Sequence, residues 1–190
     1  MKKHLGKVAV ASVVGALLGG VAAVAQQPSG DAAGLPVLKG VYYRSGGNWV
    51  TLQHDVLWPY KKNGWKWYAG VGQGDYYAEV PGEHARVQVA DGQPVFYVRG
   101  MASALGPRLV QYGAKRDFRS LRYNAGRLFE PSVPFHRSVL RDADVTQVAP
   151  NIVSIRPRGT LTPGEYAVVA TAGPDQQRLY MNFDFRVGGR

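Results

Sequence analysis

The side chains able to do chemistry are few and scattered. Histidine stands at His4, His54, His84 and His136, with no His-x-His pair and no His-Glu-x-x-His. Metal-ligating histidines recur at short fixed intervals that place them on one face, so this spacing supports no metal site. Glu83-His84 has the composition of an acid–base pair, yet neighbours on an extended strand point to opposite faces. The two meet only if the Pro81-Gly82 turn bends them together; otherwise His84 reads as a loop histidine. Ser103, Ser120, Ser132, Ser138 and Ser154 lie in no Gly-x-Ser-x-Gly elbow. Asp142 and Asp144 share a strand face at most, and an EF-hand loop is absent. Gly70-Val-Gly72-Gln-Gly74 lacks the following helix and the Lys-Ser/Thr of a phosphate loop, which leaves it a connector. Cysteine is absent, so thiol catalysis, disulfides and Cys-based metal sites are excluded. These residues predict no catalytic set, no metal and no cofactor. The remaining catalytic option is a hydrolase centred on His84 or His136. It requires one of them within hydrogen-bond reach of a carboxylate or hydroxyl in a cleft.

Two stretches suit binding better. Arg116, Arg119, Arg122 and Arg127 follow Lys115 within thirteen residues, a density suited to an anionic polymer such as an acidic glycan. The same pattern fits an arginine-decorated edge strand that resists edge-to-edge pairing, with Phe118, Leu121 and Tyr123 as core anchors. Trp49, Trp58, Trp65 and Trp67 are all the tryptophans of the chain. Exposed, they would stack on sugars or mark a protein interface; buried, they would form a small aromatic core.

The 190 residues carry a formal charge of +10. Lys2, Lys3 and Lys7 open a leader without acidic residues, followed by the apolar Val8–Val21 and the small-x-small Ala23-Val24-Ala25. This pattern predicts a signal peptide over 1–25, cut before Gln26, with a retained anchor as the alternative reading. Removal leaves 20 basic against 13 acidic side chains, or +7. The expected location is periplasmic or secreted, with no membrane span after cleavage and no specific nucleic-acid partner.

Glycine numbers 24, well above the usual share of about 7%, which favours short strands and turns. Residues 26–37 read as a flexible linker and 38–74 as a small aromatic-rich β unit with a Ser45-Gly-Gly-Asn48 hairpin turn. Residues 75–188 hold regularly spaced strands separated by Gly, Pro and Asn turns, the pattern of an all-β sandwich. The last strand alternates cleanly, placing Leu179, Met181, Phe183, Phe185 and Val187 on a core. That leaves Arg178, Tyr180, Asn182, Asp184 and Arg186 in water.

Leu161-x-Pro163-Gly164-x-Tyr166, leading into an apolar strand, resembles the tyrosine corner of immunoglobulin-like Greek-key β-sandwiches. The resemblance implies a Tyr166 hydroxyl bonded to backbone just upstream, Pro163 at the first central turn position and a positive φ at Gly164. It lacks the Cys and Trp marks of antibody domains. Gly40-Val-Tyr-Tyr and Leu-x-Pro-Gly-Glu-Tyr together look loosely like exported bacterial proteins, which implies no activity. The expected function is a non-catalytic envelope module for protein–protein interaction or surface assembly. Glycan binding through the Trp and Arg residues is the alternative.

Overall fold

The structure, a computed structural model, describes residues 32–57, 60–61, 76–101, 106–123, 135–171 and 180–188. The leader, Trp58, Trp65, Trp67, Arg127, Arg178 and the 70–74 connector lie outside the described residues. In chain order the strands are β1 (Gly40–Ser45), β2 (Asn48–Thr51), β3 (His54–Leu57), β4 (Tyr60–Lys61), β5 (Tyr76–Pro81), β6 (Gln88–Val89) and β7 (Phe96–Arg99). They continue as β8 (Arg108–Gln111), β9 (Gly113–Ala114), β10 (Phe118–Tyr123), β11 (Leu140–Arg141), β12 (Ala143–Ala149), β13 (Ile152–Pro157), β14 (Gly164–Thr171) and β15 (Tyr180–Val187). The described chain is all-β, and its sheets are antiparallel apart from a short parallel β6–β15 contact.

A central sheet runs β11-β8-β14-β15-β3. Its β14 strand reads Ala167-Val-Val-Ala170 without alternation, the mark of a strand covered on both faces. On one side it meets the sheet β12-β13-β7-β1-β2, through Tyr166, Val168, Phe183 and Phe185 against Val41, Phe96, Val98 and Ile155. On the other side it meets β4-β5-β10-β9, through Val110, Ala167, Val169 and Tyr180 against Ala78, Val80, Leu121 and Tyr123. Residues 32–35 then cover the outer face of the first sheet, where Ala32 and Leu35 join Tyr42, Tyr97 and Ile152.

The short, regularly spaced strands expected over 75–188 are present, and the β1–β2 hairpin turns at Gly46 and Gly47, with φ of 55° and 88°. Because β1 pairs with β7 and β3 with β15, the strands of 38–57 share both sheets and cores with the 75–188 stretch. The position near residue 75 is therefore not a boundary between sheets. Two expectations fail. Tyr180, Asn182 and Asp184 are buried instead of facing water, since the third sheet covers that face of β15. Gly164 has no positive φ; a Cβ there would come within 3.1 Å of the Gln111 amide, so glycine supplies room.

Tyr166 donates its hydroxyl to the Thr162 carbonyl at 2.8 Å, while its ring stacks 5.7 Å from Phe185. Phe185 also lies 4.5 Å from Phe96 across the two sheets. Tyr166→Phe should cost about 1 kcal/mol by losing the hydroxyl's contacts to the Thr162 carbonyl and Oγ1. Phe185→Ala should cost about 3–5 kcal/mol, because nothing adjacent can fill the space. Urea unfolding followed by far-UV circular dichroism measures both.

Burial pushes the Tyr123 phenol far above its ordinary value, with Tyr180 adding to the rise, and burial also raises Tyr180. In the unfolded chain these phenols lose protons near pH 10, whereas the folded chain keeps them. Unfolding then releases protons. Stability should hold below about pH 10 and fall as pH rises beyond it. An absorbance titration of the phenolates should show these tyrosines ionising together with unfolding.

Candidate functional site

The predicted arginine surface divides once the strands are placed. On β10, side chains alternate: Arg119, Leu121 and Tyr123 point inward and are buried, whereas Arg122 is half-buried and Phe118 and Ser120 share its face. Arg116 is exposed in the preceding turn. Nor is β10 a sheet edge, because it pairs with β5 on one side and β9 on the other. Arg119 is thereby corrected from a surface contact to an interior group. Trp49 also packs rather than offering an open platform. Its ring meets Tyr97 edge-on at 5.3 Å, its indole N–H donates to the Ala33 carbonyl at 3.4 Å, and Arg44 lies over it. Of the corner residues, Leu161 and Tyr166 enter the first core, and Pro163 is exposed.

What the fold does bring together is a polar network between the central and third sheets. Arg119 donates through Nη1 to Asp184, through Nε to the Gly82 carbonyl at 3.1 Å and through Nη2 to Pro81 at 3.4 Å. The same Nη1 lies 3.8 Å from Glu165 Oε2. Arg119, Asp184 and Glu165 are all buried, at 3%, 7% and 4% exposure. A buried charge persists only when paired and hydrogen-bonded, and here each of the three guanidinium nitrogens has a partner. Its flat face lies 5.4 Å from the centre of the Tyr112 ring. Tyr112 in turn donates its hydroxyl to Asn182 Oδ1. Burial, reinforced by the negative charge of Asp184, pushes the Tyr112 phenol well above its ordinary range, so it acts as a neutral donor.

Glu165 extends the network to the surface. Its Oε2 accepts the Ala85 N–H at 2.8 Å and its Oε1 contacts His84 Nδ1 at 3.0 Å. A carboxylate only accepts, so Nδ1 carries the proton in this contact. The positive φ of Gly82, 86°, turns the chain so that His84 Nε2 also comes within 3.9 Å of Glu83. The bend that could join this pair is therefore present, although the closer partner is Glu165. His136 contacts Ser138 Oγ at 2.8 Å within its own exposed turn.

His84 opens onto a cleft of about 480 Å³. Gln53, His54 and Asp55 wall it from the β3 side, the 81–86 turn from another, and Arg119 with Asp184 forms its floor. Arg86 donates to Gln53 Oε1 across the rim. Two smaller depressions, of about 230 and 250 Å³, flank β12 and contain no histidine. Among the described residues no group of three or more His, Cys, Asp or Glu side chains is placed to hold a metal ion, and no helix is long and apolar enough to cross a membrane.

Sequence reasoning gave no site role to Asp184, Glu165, Gln53 or His54. One signal was legible. The apolar run on β14 requires covering on both faces, and its partner β15 must then bury its polar face as well. No family model, no curated protein and no solved structure matches the chain.

Removing one member of the buried pair should be costly. Asp184→Ala leaves the Arg119 guanidinium without its closest counter-charge and should destabilise the fold by about 3–5 kcal/mol. Arg116→Ala, at an exposed position, should change stability by less than about 0.5 kcal/mol. Chemical denaturation of the two variants beside the unaltered chain makes the comparison.

Proposed function

We propose that the chain is an exported, non-catalytic β-module of the bacterial envelope that binds an envelope glycan in the cleft beneath His84. The observation that carries this reading is the polar cleft itself. Its floor is fixed by the Arg119–Asp184–Glu165 network, and its rim presents Gln53, His54, Asp55, His84 and Arg86. A pocket of this volume with convergent polar groups suits a small polar ligand better than a flat protein face. Of the Trp and Arg residues that residue type alone suggests, Arg119 belongs to the floor of this cleft, and Trp49 is half-buried against Tyr97 away from its lining. The N-terminal leader supports export to an envelope compartment. The Tyr166–Thr162 bond and the closing β14–β15 pair support an immunoglobulin-like, Greek-key affinity for the sandwich.

A protein partner is the second reading, favoured by exposed apolar residues outside the cleft. Val37 and Leu38 are 83% and 74% exposed, and β12 forms an open edge of its sheet. A bulge between Gln147 and Ala149 interrupts that edge, a device that discourages strand addition. The hydrolase reading meets its geometric requirement at His84, yet no Ser, Thr or Cys side chain lines the described cleft to serve as nucleophile.

Retention of the purified protein on isolated envelope glycan, measured for three chains, separates these readings. Under the glycan reading the double variant Gln53→Ala/Arg86→Ala should bind about tenfold more weakly at unchanged thermal midpoint. Val37→Asp/Leu38→Asp should bind as the unaltered chain does. The reverse pattern would move the binding surface to residues 37–38.

A further inference from the structure

We infer that the ligand of the His84 cleft is a neutral saccharide held through its hydroxyl groups, and not an anion. This inference rests on the binding role proposed above and narrows it to a chemical class.

The charge inventory of the cleft differs from that of the whole chain. The protein carries +10, which by itself favours acidic ligands. Two basic side chains line the cleft, Arg86 and Arg119, and two acidic ones, Asp55 and Asp184. Arg119 and Asp184 are bonded to each other and buried. A third carboxylate, Glu165, stands directly behind His84. A phosphate, sulfate or uronate entering here would meet no excess of positive charge.

One base and one acid, Arg86 and Asp55, remain on the exposed rim. That pair formally matches an amino-acid zwitterion. Exposed ion pairs contribute about 0–1 kcal/mol, however, too little to hold such a ligand by charge alone. Hydrogen bonding is the larger resource. The rim offers a carboxylate that only accepts, a guanidinium that only donates, an amide that does both, and two imidazoles. The carboxylate, the guanidinium and the amide are planar, and each presents two bonding points side by side. Adjacent hydroxyls on a sugar ring donate and accept at once, and they match such forks without needing net charge.

The rim is also held in place before any ligand arrives. Gln53 and Arg86 are bonded to each other, and Glu165 fixes His84. His54 pairs with Phe183 in the β3–β15 ladder, and its ring lies 5.6 Å from that buried ring. Side chains already ordered lose less freedom on binding, which lowers one of the costs a weakly held polar ligand must overcome.

The test is a nuclear magnetic resonance titration of the isotope-labelled full chain with three kinds of probe. These are neutral mono- and disaccharides of differing hydroxyl stereochemistry, a trigalacturonate, and the zwitterionic dipeptide alanyl-alanine. At least one neutral sugar should shift the His54 and His84 imidazole and Gln53 amide signals saturably, with Kd of about 1–10 mM. Raising salt from about 50 to about 500 mM should change that Kd less than twofold. Asp55→Asn and Gln53→Ala should each weaken it about fivefold or more, and Arg116→Ala should leave it alone. Tighter binding of trigalacturonate or of the dipeptide at these same signals would overturn the saccharide assignment while leaving the cleft as the binding site. Silence from every probe would also overturn it. The cleft itself falls only if envelope retention ignores Gln53→Ala/Arg86→Ala.

Discussion

The arrangement depends on a sheet that is covered on both faces. Once β14 carries apolar side chains on each side, the neighbouring strand β15 has no face left for water, and its polar alternate positions must be satisfied inside the protein. Arg119 supplies that satisfaction. It reaches from the third sheet to Asp184 on β15 and closes a layer that apolar packing alone could not close at this end. The backbone carbonyls of Pro81 and Gly82 accept its remaining donors, so the same side chain also sets the turn that carries His84.

The interface between the central and third sheets therefore has two characters. Toward Tyr180 and Tyr123 it is aromatic and dry, with Phe135 lying 4.9 Å from Tyr123 and 5.4 Å from Tyr180. Toward Asp184 and Arg119 it is ionic and opens to solvent as the cleft. Both β10 and β15 contribute to each end, which means their inward-facing residues change from apolar to charged along a single strand. A strand pair packed along its whole length by apolar residues would leave no opening here.

Much of this is legible in the amino-acid sequence. The strand-and-turn pattern, the Gly46-Gly47 hairpin and the Tyr166–Thr162 hydrogen bond follow from alternation and turn chemistry, which act over a few residues. The depth of the fold is not legible in the same way. Period-2 alternation on β15 says that two faces differ, but whether the polar face meets water or another sheet is decided by a strand some sixty positions earlier in the chain, at Arg119. Only the unbroken apolar run of β14 hints at it. The arginine stretch misleads for the same reason. Density of charge along the sequence suggests one surface, whereas a strand sends Arg119 and Arg122 to opposite sides. Glu165 is hidden in a motif that reads as scaffolding, where the conspicuous residues are its neighbours Gly164 and Tyr166.

A buried ion pair is seldom the most stabilising way to join two sheets. Replacing such a pair by apolar side chains of similar volume is often neutral or favourable by about 1–4 kcal/mol, because the desolvation cost disappears. An apolar version of this seam would nevertheless change the cleft. It would leave the Pro81 and Gly82 carbonyls without their donors and would free the turn that holds His84 against Glu165. The charge at Arg119 is therefore better understood through what it positions than through what it stabilises. On that view the network and the cleft are one feature: the ions that make this end of the interface expensive to bury are the same ions that keep it open and give its rim a fixed shape.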